Sequence, residues 1–216
     1  RIANSNYQVG DVLTSLHGCK TTGSFHLIDC QFPDGYKEKR TVIEEMYRVA
    51  AKWAWLILWY PTDQYESTLT MLAGSGWKAQ VIPAMWVPPY IMKEKPTDRL
   101  VHSYKSFFLC SKSMPLLKEL GRSNVFRVDN LPTTGINARI HPNEVPVALM
   151  EEIIRATTLP NEAVLSIFSN AGNTLRACYN LGHNVIGFDT SQDIKEKFLK
   201  RVEYDTKTLL SIPLGD

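Results

Sequence analysis

The sequence predicts an α/β protein with a doubly wound sheet. Short apolar runs alternate with longer segments of helical period, which is the pattern of strands connected by helices. Two runs, Trp53–Tyr60 and Ala163–Phe168, are apolar nearly throughout, as strands covered on both faces of a sheet should be. The second of them turns through small residues into a helical segment, a strand–turn–helix unit typical of such sheets.

The predicted strands are short apolar runs bounded by turn residues. They are Phe25–Ile28, Trp53–Tyr60, Lys78–Trp86, Ser106–Cys110, Ala163–Phe168 and Asn184–Phe188. Several aromatic residues fall on these runs. At strand spacing beside aliphatic residues, Trp53, Trp55, Trp59 and Trp86 are expected in the core rather than stacked on a ligand.

The predicted helices lie between the strands. They are Lys37–Lys52, Asp63–Ala73, Ser113–Leu120, Glu144–Thr157, Asn173–Leu181 and Ser191–Val202. Asp63, Ser113 and Ser191 can cap exposed backbone N–H groups at the helix starts. Gly121 and Gly182 stand where helices are expected to stop.

The composition of the chain limits the kinds of protein that it can be. A chain of 216 residues with 44% hydrophobic content suits one compact domain, and a net charge of +2 means that the protein as a whole does not seek polyanions. The four cysteines form no Cys-x-x-Cys pair, so neither a disulfide framework nor a metal site is signalled and a reducing, intracellular compartment is expected. No apolar run is long enough to span a membrane. Because the first residue is not Met, we expect a fragment.

One stretch, Pro88–Ile140, is rich in turn signals and in basic residues. We interpret it as insertion-like loops around a buried strand. Its basic excess allows two interpretations, a solvated loop surface or a surface that contacts nucleic-acid phosphates. The candidate phosphate contacts are Lys93, Lys95, Arg99, Arg122, Arg127 and Arg139.

The most informative block runs from His141 to Asp189. After Ala163–Phe168 the chain passes through the turn Phe168–Gly172 into a helix, and the next strand ends in Asp189. Such a turn lets backbone N–H groups approach a ligand at a helix N-terminus, and an acid at the following strand end can bind ribose hydroxyls. Alone, this is a weak signal for a nucleotide-like cofactor.

The block resembles the circularly permuted N6-adenine and N4-cytosine DNA methyltransferases, in which stretches like HPTQKPxxLxxxLI, DPFAGSGTT and GID follow one another. The matching residues are His141, Pro142, Pro146, Leu149, Ile153, Ile154, Phe168, Gly172, Thr174, Gly187 and Asp189. The resemblance implies a Rossmann-like methyltransferase sheet in permuted order that binds S-adenosylmethionine. It assigns the cofactor to His141, Asn143, Ser166, Phe168, Asn170, Gly172 and Asp189.

The departures from the family pattern are as informative as the matches. Ser166 stands where the family has Asp, Asn170 replaces the first Gly of the turn, and Val145 replaces a Lys. Asn is the non-Gly residue that best tolerates a left-handed conformation, so the turn is expected to survive. Its side chain would then lie where the cofactor is bound.

The family's catalytic Asp-Pro-Pro-Tyr motif precedes the cofactor half, and Asp29-Cys30-Gln31-Phe32 stands in its place. In the family, the Asp and a proline carbonyl accept from the target amine, while the aromatic ring stacks on a flipped base. Asp29 and Phe32 retain an acceptor and a ring, and both prolines are absent. The resemblance divides the single domain into a catalytic half (7–87), the basic insertion (88–140) and a cofactor half (141–202).

Three hypotheses follow from the resemblance. The favoured one is a catalytically impaired methyltransferase-like module that binds nucleic acid or protein, within a complex or an oligomer, with no cofactor. The second is an active enzyme that methylates adenine or cytosine through Asp29 and Phe32. The third is a divergent subunit of an RNA adenine methyltransferase.

Overall fold

The computed structural model describes residues 6–20, 22–89, 97–132, 134–135 and 138–210, of which 206–210 by backbone alone. Lys93 and Lys95, two of the candidate phosphate contacts, lie outside these residues. The described part of the chain forms one sheet with helices packed on both faces. The predicted α/β class is therefore confirmed.

Nine strands make up the sheet in the described residues, in the order β1-β9-β8-β2-β3-β6-β5-β7, and β4 also pairs with β6. The strands are β1 (Tyr7–Val9), β2 (Phe25–Gln31), β3 (Ala50–Tyr60), β4 (Lys78–Ala79), β5 (Ala84–Trp86), β6 (Lys105–Ser111), β7 (Val125–Phe126), β8 (Ala163–Ile167) and β9 (Asn184–Asp189). The five strands from β1 to β3 in this order run parallel, and β6 is antiparallel to β3.

Strand β2 lies at the middle of the parallel part. Asp29 pairs with Ser166 of β8 on one side and with Ile57 of β3 on the other. The carboxyl ends of parallel strands share one edge of the sheet, which is where open α/β sheets bind ligands. The ends of β8, β2 and β9 therefore bring the predicted cofactor and catalytic residues to the same edge.

Six α-helices connect these strands in the described residues. They are α1 (Val12–Gly18), α2 (Lys39–Val49), α3 (Tyr65–Gly74), α4 (Val147–Thr157), α5 (Asn173–Asn180) and α6 (Gln192–Leu210), and a short 3₁₀ helix (Thr62–Gln64) precedes α3. None of the helices in the described part of the chain is long and apolar enough to cross a membrane.

Alternate residues of the central strands pack into two hydrophobic cores, one on each face of the sheet. Ile28 and Cys30 of β2 pack with α1, α2 and α3 on one face. Leu27 packs with α4 and α5 on the other face. This alternation follows from the two-residue period of a strand, and it turns Asp29 toward the face that α4 and α5 cover.

Most predicted elements are observed with shifted ends, but several predictions were wrong, among them the core position of Trp53, which is 54% exposed. The predicted strand Lys78–Trp86 is split into β4 and β5, because Pro83 and the bends before it interrupt the ladder. Helix α2 ends at Val49, three residues before the predicted end. Asp63 lies inside the 3₁₀ helix and does not cap α3, whose N-cap is Gln64. The Ser191 side chain does accept from the Ile194 N–H, as predicted.

The predicted helix Ser113–Leu120 is absent from the structure. Ser113 and Met114 adopt φ values of 58° and 54°, which no right-handed helix allows. Leu117 packs against the core, but Leu116 and Leu120 are 80% and 89% exposed, so the segment buries too little apolar surface to stabilise a helix. The sequence patterns also missed β1, β7 and helix α1, which Asp11 caps by accepting from the Thr14 N–H at 2.7 Å.

Candidate functional site

The turn between β8 and α5 has an unusual backbone. Phe168 and Asn170 adopt positive φ values of 54° and 48°, and Gly172, the N-cap of α5, adopts 71°. Left-handed Asn170 agrees with the expectation from its residue type. Its side-chain amide donates to the carbonyl of Phe168 at 2.7 Å, so the side chain folds back onto the turn. A bulky residue such as Phe168 in this region marks stored strain.

Two glycines allow the turn to pack closely. A Cβ on Gly172 would overlap the ring of Phe198 from α6. A Cβ on Gly187 in β9 would overlap the Ser169 hydroxyl. The turn is therefore pressed between α6 and β9, where only glycine fits at these two positions.

Asp189 at the end of β9 is bound to the backbone of the same region. Its Oδ2 accepts from the Asn170 N–H at 2.8 Å, and its Oδ1 accepts from the Ser191 N–H at 2.9 Å. The Tyr7 hydroxyl donates to the Asn170 carbonyl at 2.7 Å, and burial together with the charge of Asp189 raises the Tyr7 pKa. The acid that would bind a ribose thus holds the turn closed.

A second buried carboxylate, Glu144, fixes the loop before α4. Its Oε1 accepts from Arg201 of α6 at 2.6 Å and from Asn173 at 2.9 Å. Its Oε2 accepts from the N–H of Ile140 at 2.7 Å. Both charged side chains are nearly inaccessible, at 0% for Glu144 and 2% for Arg201, so this is a buried ion pair with its hydrogen bonds satisfied.

Among the remaining predicted cofactor residues, Asn143 lines a narrow cavity, whereas His141 and Ser166 are not among the residues that line it. His141 Nδ1 accepts from the Asn143 N–H at 3.2 Å, and burial lowers the His141 pKa. Ser166 is buried, and its hydroxyl has no hydrogen-bond partner among the residues that the structure describes. The cavity has a volume of about 20 Å³. Its lining includes Asn143, Phe168, Asn170, Asn173 and Thr174.

Asp29 lies inside β2 rather than at its end. Without the two prolines, Cys30 and Gln31 continue the ladder beside Leu58 and Trp59. The Asp29 carboxylate accepts from Trp59 Nε1 at 3.0 Å and from Thr174 Oγ1 at 2.6 Å. Burial raises its pKa to about 6, against the lowering effect of these two bonds.

Phe32 follows the strand and belongs to an aromatic cluster. Its ring centroid lies 5.7 Å from that of Tyr36, in a stacked arrangement, and 5.7 Å from that of Phe168. Tyr36 and Phe168 meet edge to face at 4.9 Å. The three rings bridge the catalytic and cofactor halves, and the predicted base-stacking ring already packs on protein rings.

A wide cleft of about 900 Å³ opens beside the narrow cavity. Gln31, Trp59 and Asn143 border both spaces. The cleft is lined by aromatic and basic side chains, among them Phe32, Trp59, Tyr60, Trp86, Tyr104, Arg99, Lys105 and Arg139. Its size is that of a small-molecule or nucleotide site.

The structure separates the predicted basic residues. Arg99 and Arg139 line the cleft. Arg122 instead donates to Glu119 and Glu152, and the exposed Arg127 is not among the lining residues. Lys105 also lines the cleft and was missed as a site residue. A lysine at the start of an otherwise apolar strand was the signal that could have identified it.

Comparison with protein families decides the identity of the fold. A family model described as DNA methylase, of the N6/N4 methyltransferase type, matches residues 34–200. The chain belongs to this DNA methylase family. Within the family, it is 25% identical over 145 residues to YubD of Escherichia coli (strain K12), which is named as a methylase. That match covers 67% of this chain and 60% of YubD, so the chain spans less than two thirds of the relative's length.

Solved structures show the same methylase fold. The M1.HpyAVI complex with SAM (S-adenosylmethionine) superposes with a TM-score of 0.78 at 20% identity, covering 91% of this chain and 98% of that one. The PvuII cytosine-N4-specific DNA methyltransferase gives 0.77 at 16% identity, covering 90% and 85%. TTHA0409 of Thermus thermophilus, complexed with S-adenosyl-L-methionine, gives 0.67 at 16% identity, covering 91% and 94%. The chain has the Rossmann-like fold of S-adenosylmethionine-dependent DNA methyltransferases.

Proposed function

We propose that this chain is a nucleic-acid-binding member of the DNA methylase family in which methyl transfer is impaired. The module would act within a complex or oligomer, in the cellular compartment that holds its nucleic acid. The proposal combines two properties of the sheet edge. The cofactor side is closed by internal bonds, and the cleft beside it is open and basic.

The proposal that methyl transfer is impaired rests on the hydrogen bonds of three carboxylates. Asp29, Glu144 and Asp189 each have both carboxylate oxygens in hydrogen bonds to protein groups. A carboxylate offers about four acceptor sites, and the internal hydrogen bonds occupy part of them on both oxygens, which leaves fewer for a ribose or an amine. In this chain the acids of the site stabilise the fold around it.

The residues present do not fit S-adenosylmethionine in this arrangement. The space beside the turn is about 20 Å³, whereas sites for ligands of drug size enclose about 300–1,000 Å³. The turn cannot retreat easily, because α6 and β9 press on Gly172 and Gly187. The residues of this region therefore support no methyl-transfer step through the cofactor.

Support for nucleic-acid binding comes from the wide cleft. Aromatic rings offer stacking surfaces for bases, and basic side chains at the rim offer contacts to phosphates. The PvuII protein, which shares the fold, is named as a cytosine-N4-specific DNA methyltransferase. DNA is therefore the first ligand to test, and RNA the second.

Isothermal titration with S-adenosylmethionine tests the impairment. We expect no heat up to millimolar ligand, while a labelled duplex binds with a salt-dependent affinity. Micromolar binding of the cofactor that Asp189→Ala abolishes, and that Asp193→Ala on the exposed face of α6 preserves, would overturn the impaired assignment. Absence of any DNA or RNA binding would overturn the nucleic-acid assignment separately.

An active amino-methyltransferase is the second candidate, and one observation favours it. Gln31, Trp59 and Asn143 border both the cleft and the narrow cavity, so a base in the cleft would meet the cofactor side at these residues. Transfer of a labelled methyl group to DNA distinguishes the candidates. We expect none above a control without protein, and transfer that is lost in Gln31→Ala would establish the enzyme.

A further inference from the structure

Lys105, the first residue of β6, places a buried cation beside the wide cleft. Its Nζ is inaccessible to solvent and has no hydrogen-bond partner among the described residues. An ammonium group in such a position is costly unless an anion pairs with it. The side chain lines the cleft, so the missing anion can come from a ligand there.

The part of the chain that the structure describes places no acid in a hydrogen bond with Lys105. Burial lowers the Lys105 pKa to about 8, and the charge of Arg139, which lines the same cleft, adds to the lowering. Asp34 is the single acid among the described residues that line the cleft, and Arg99 of the same lining pairs with Asp98 at 3.1 Å. The ammonium is therefore charged at neutral pH and faces a second cation, which is a common composition of anion sites.

The walls of the cleft add a second requirement on the ligand. Trp86 pairs with Lys105 in the sheet, and Trp59 and Tyr104 also line the space. A ligand that fills this cleft must carry flat apolar surface within a few ångströms of a negative group. Nucleotides combine a base with a phosphate in this way.

We propose that Lys105 and Arg139 form a phosphate site in the cleft that holds the phosphate of a nucleotide whose base lies against the aromatic wall. The inference rests on the proposed nucleic-acid binding and specifies where one phosphate is held. The phosphate can belong to a nucleic-acid chain or to a free nucleotide. None of the substitutions that test it changes Asp29, Glu144 or Asp189.

The first measurement is the salt dependence of binding to a fluorescein-labelled duplex. Lys105→Met is expected to weaken binding about tenfold at low salt and to reduce the slope of log K against log salt by about 0.9, the value for one phosphate contact. Lys105→Arg keeps the charge and should stay within about threefold of the wild type. Lys200→Met, an exposed lysine of α6, is the matched control and should change neither quantity.

The second measurement uses small probes and thermal unfolding. Inorganic phosphate and adenosine 5′-monophosphate should raise the Tm of the wild type but not that of Lys105→Met, and adenosine should raise neither. Stabilisation by the monophosphate together with duplex binding that Lys105→Met leaves unchanged would identify a free nucleotide as the source of the phosphate. The melting curve of each variant also shows that it folds.

The outcomes separate the two proposals. If no nucleic acid binds but phosphate stabilises the wild type through Lys105, the proposed function fails and the phosphate site stands. If the duplex binds and Lys105→Met matches Lys200→Met in affinity, in salt slope and in its response to phosphate, the phosphate site is overturned while the proposed function stands.

Discussion

The narrow cavity and the wide cleft lie side by side at one sheet edge, and they differ in how their polar groups are used. Around the cavity, Asp29, Glu144 and Asp189 are held by internal hydrogen bonds, and the space is about 20 Å³. Around the cleft of about 900 Å³, Lys105 is buried with no partner among the described residues. The acids at the cavity are thus paired within the protein, whereas Lys105 at the cleft has no partner among the described residues and is available to bind a ligand.

The largest expected effect is the loss of stability when the buried ion pair of Glu144 is broken. Glu144→Gln replaces one charge of the buried Glu144–Arg201 ion pair by a neutral amide and should cost about 3–5 kcal/mol of unfolding free energy, because breaking a buried ion pair from one side is strongly destabilising. Glu44→Gln removes the exposed partner of Arg40 and should cost less than about 1 kcal/mol. Urea unfolding measures both. Similar costs for the two would show that the pair does not hold the region closed.

The next effect is a pH dependence at Asp29. Its folded-state pKa of about 6 lies above the usual value of 3.8, so the folded protein binds the extra proton between these values and this group destabilises the fold as pH rises through them. Asp29→Asn should therefore gain on the order of 3 kcal/mol relative to the wild type between pH 4 and pH 7. If the unfolding free energies of the two proteins instead change with pH in the same way, burial does not raise the pKa of Asp29.

A smaller effect is expected from Gly172. Gly172→Ala combines a left-handed backbone with overlap on Phe198, whereas Gly182→Ala has the same backbone, with φ of 72°, and open space. The first should cost about 2 kcal/mol more than the second, which is the cost of overpacking alone. Equal costs, measured by urea unfolding, would mean that α6 yields and that the turn is not pressed shut.

The smallest effect concerns Asn170, where the family has glycine. Asn170→Gly should change the unfolding free energy by less than about 0.5 kcal/mol, because glycine adopts φ of 48° freely while one side-chain bond to Phe168 is lost. Asn170→Val should cost about 2 kcal/mol, since a branched side chain resists this backbone. If the glycine variant also acquires cofactor binding by calorimetry, this side chain alone closes the site.

The central strands were predictable from sequence because they are apolar nearly throughout, as β3 and β8 show. The block from His141 to Asp189 predicted the family for another reason. The spacing between its motifs is kept even where individual side chains have changed. The helix predicted at Ser113–Leu120 failed because a helical pattern of leucines does not show whether a core lies beneath them. Sequence pattern also cannot distinguish an acid at a strand end from one inside the strand, so the register that buries Asp29 was visible only in the structure.

The functional roles of the site residues stay predictions. The resemblance predicted Asp29, Asp189 and the turn as site residues, and the structure places Asp29 against Thr174 beside the turn that Asp189 holds. It did not predict Glu144 and Arg201, which are 57 residues apart and meet only through the fold. Lys105 was hidden among other lysines, because charge counting cannot tell a solvated ammonium from a buried one.

The bond between Thr174 and Asp29 joins residues 145 positions apart, and this separation has a consequence for how the protein is made. On the ribosome, β2 and β3 can pair early, but β8, the other neighbour of β2, emerges only after residue 163. Until then the apolar edge of β2 is unpaired and its acid lacks the threonine. Long-range parallel pairing of this kind folds slowly and exposes an aggregation-prone edge. Chains truncated before β8 should therefore aggregate during synthesis, whatever the finished protein binds.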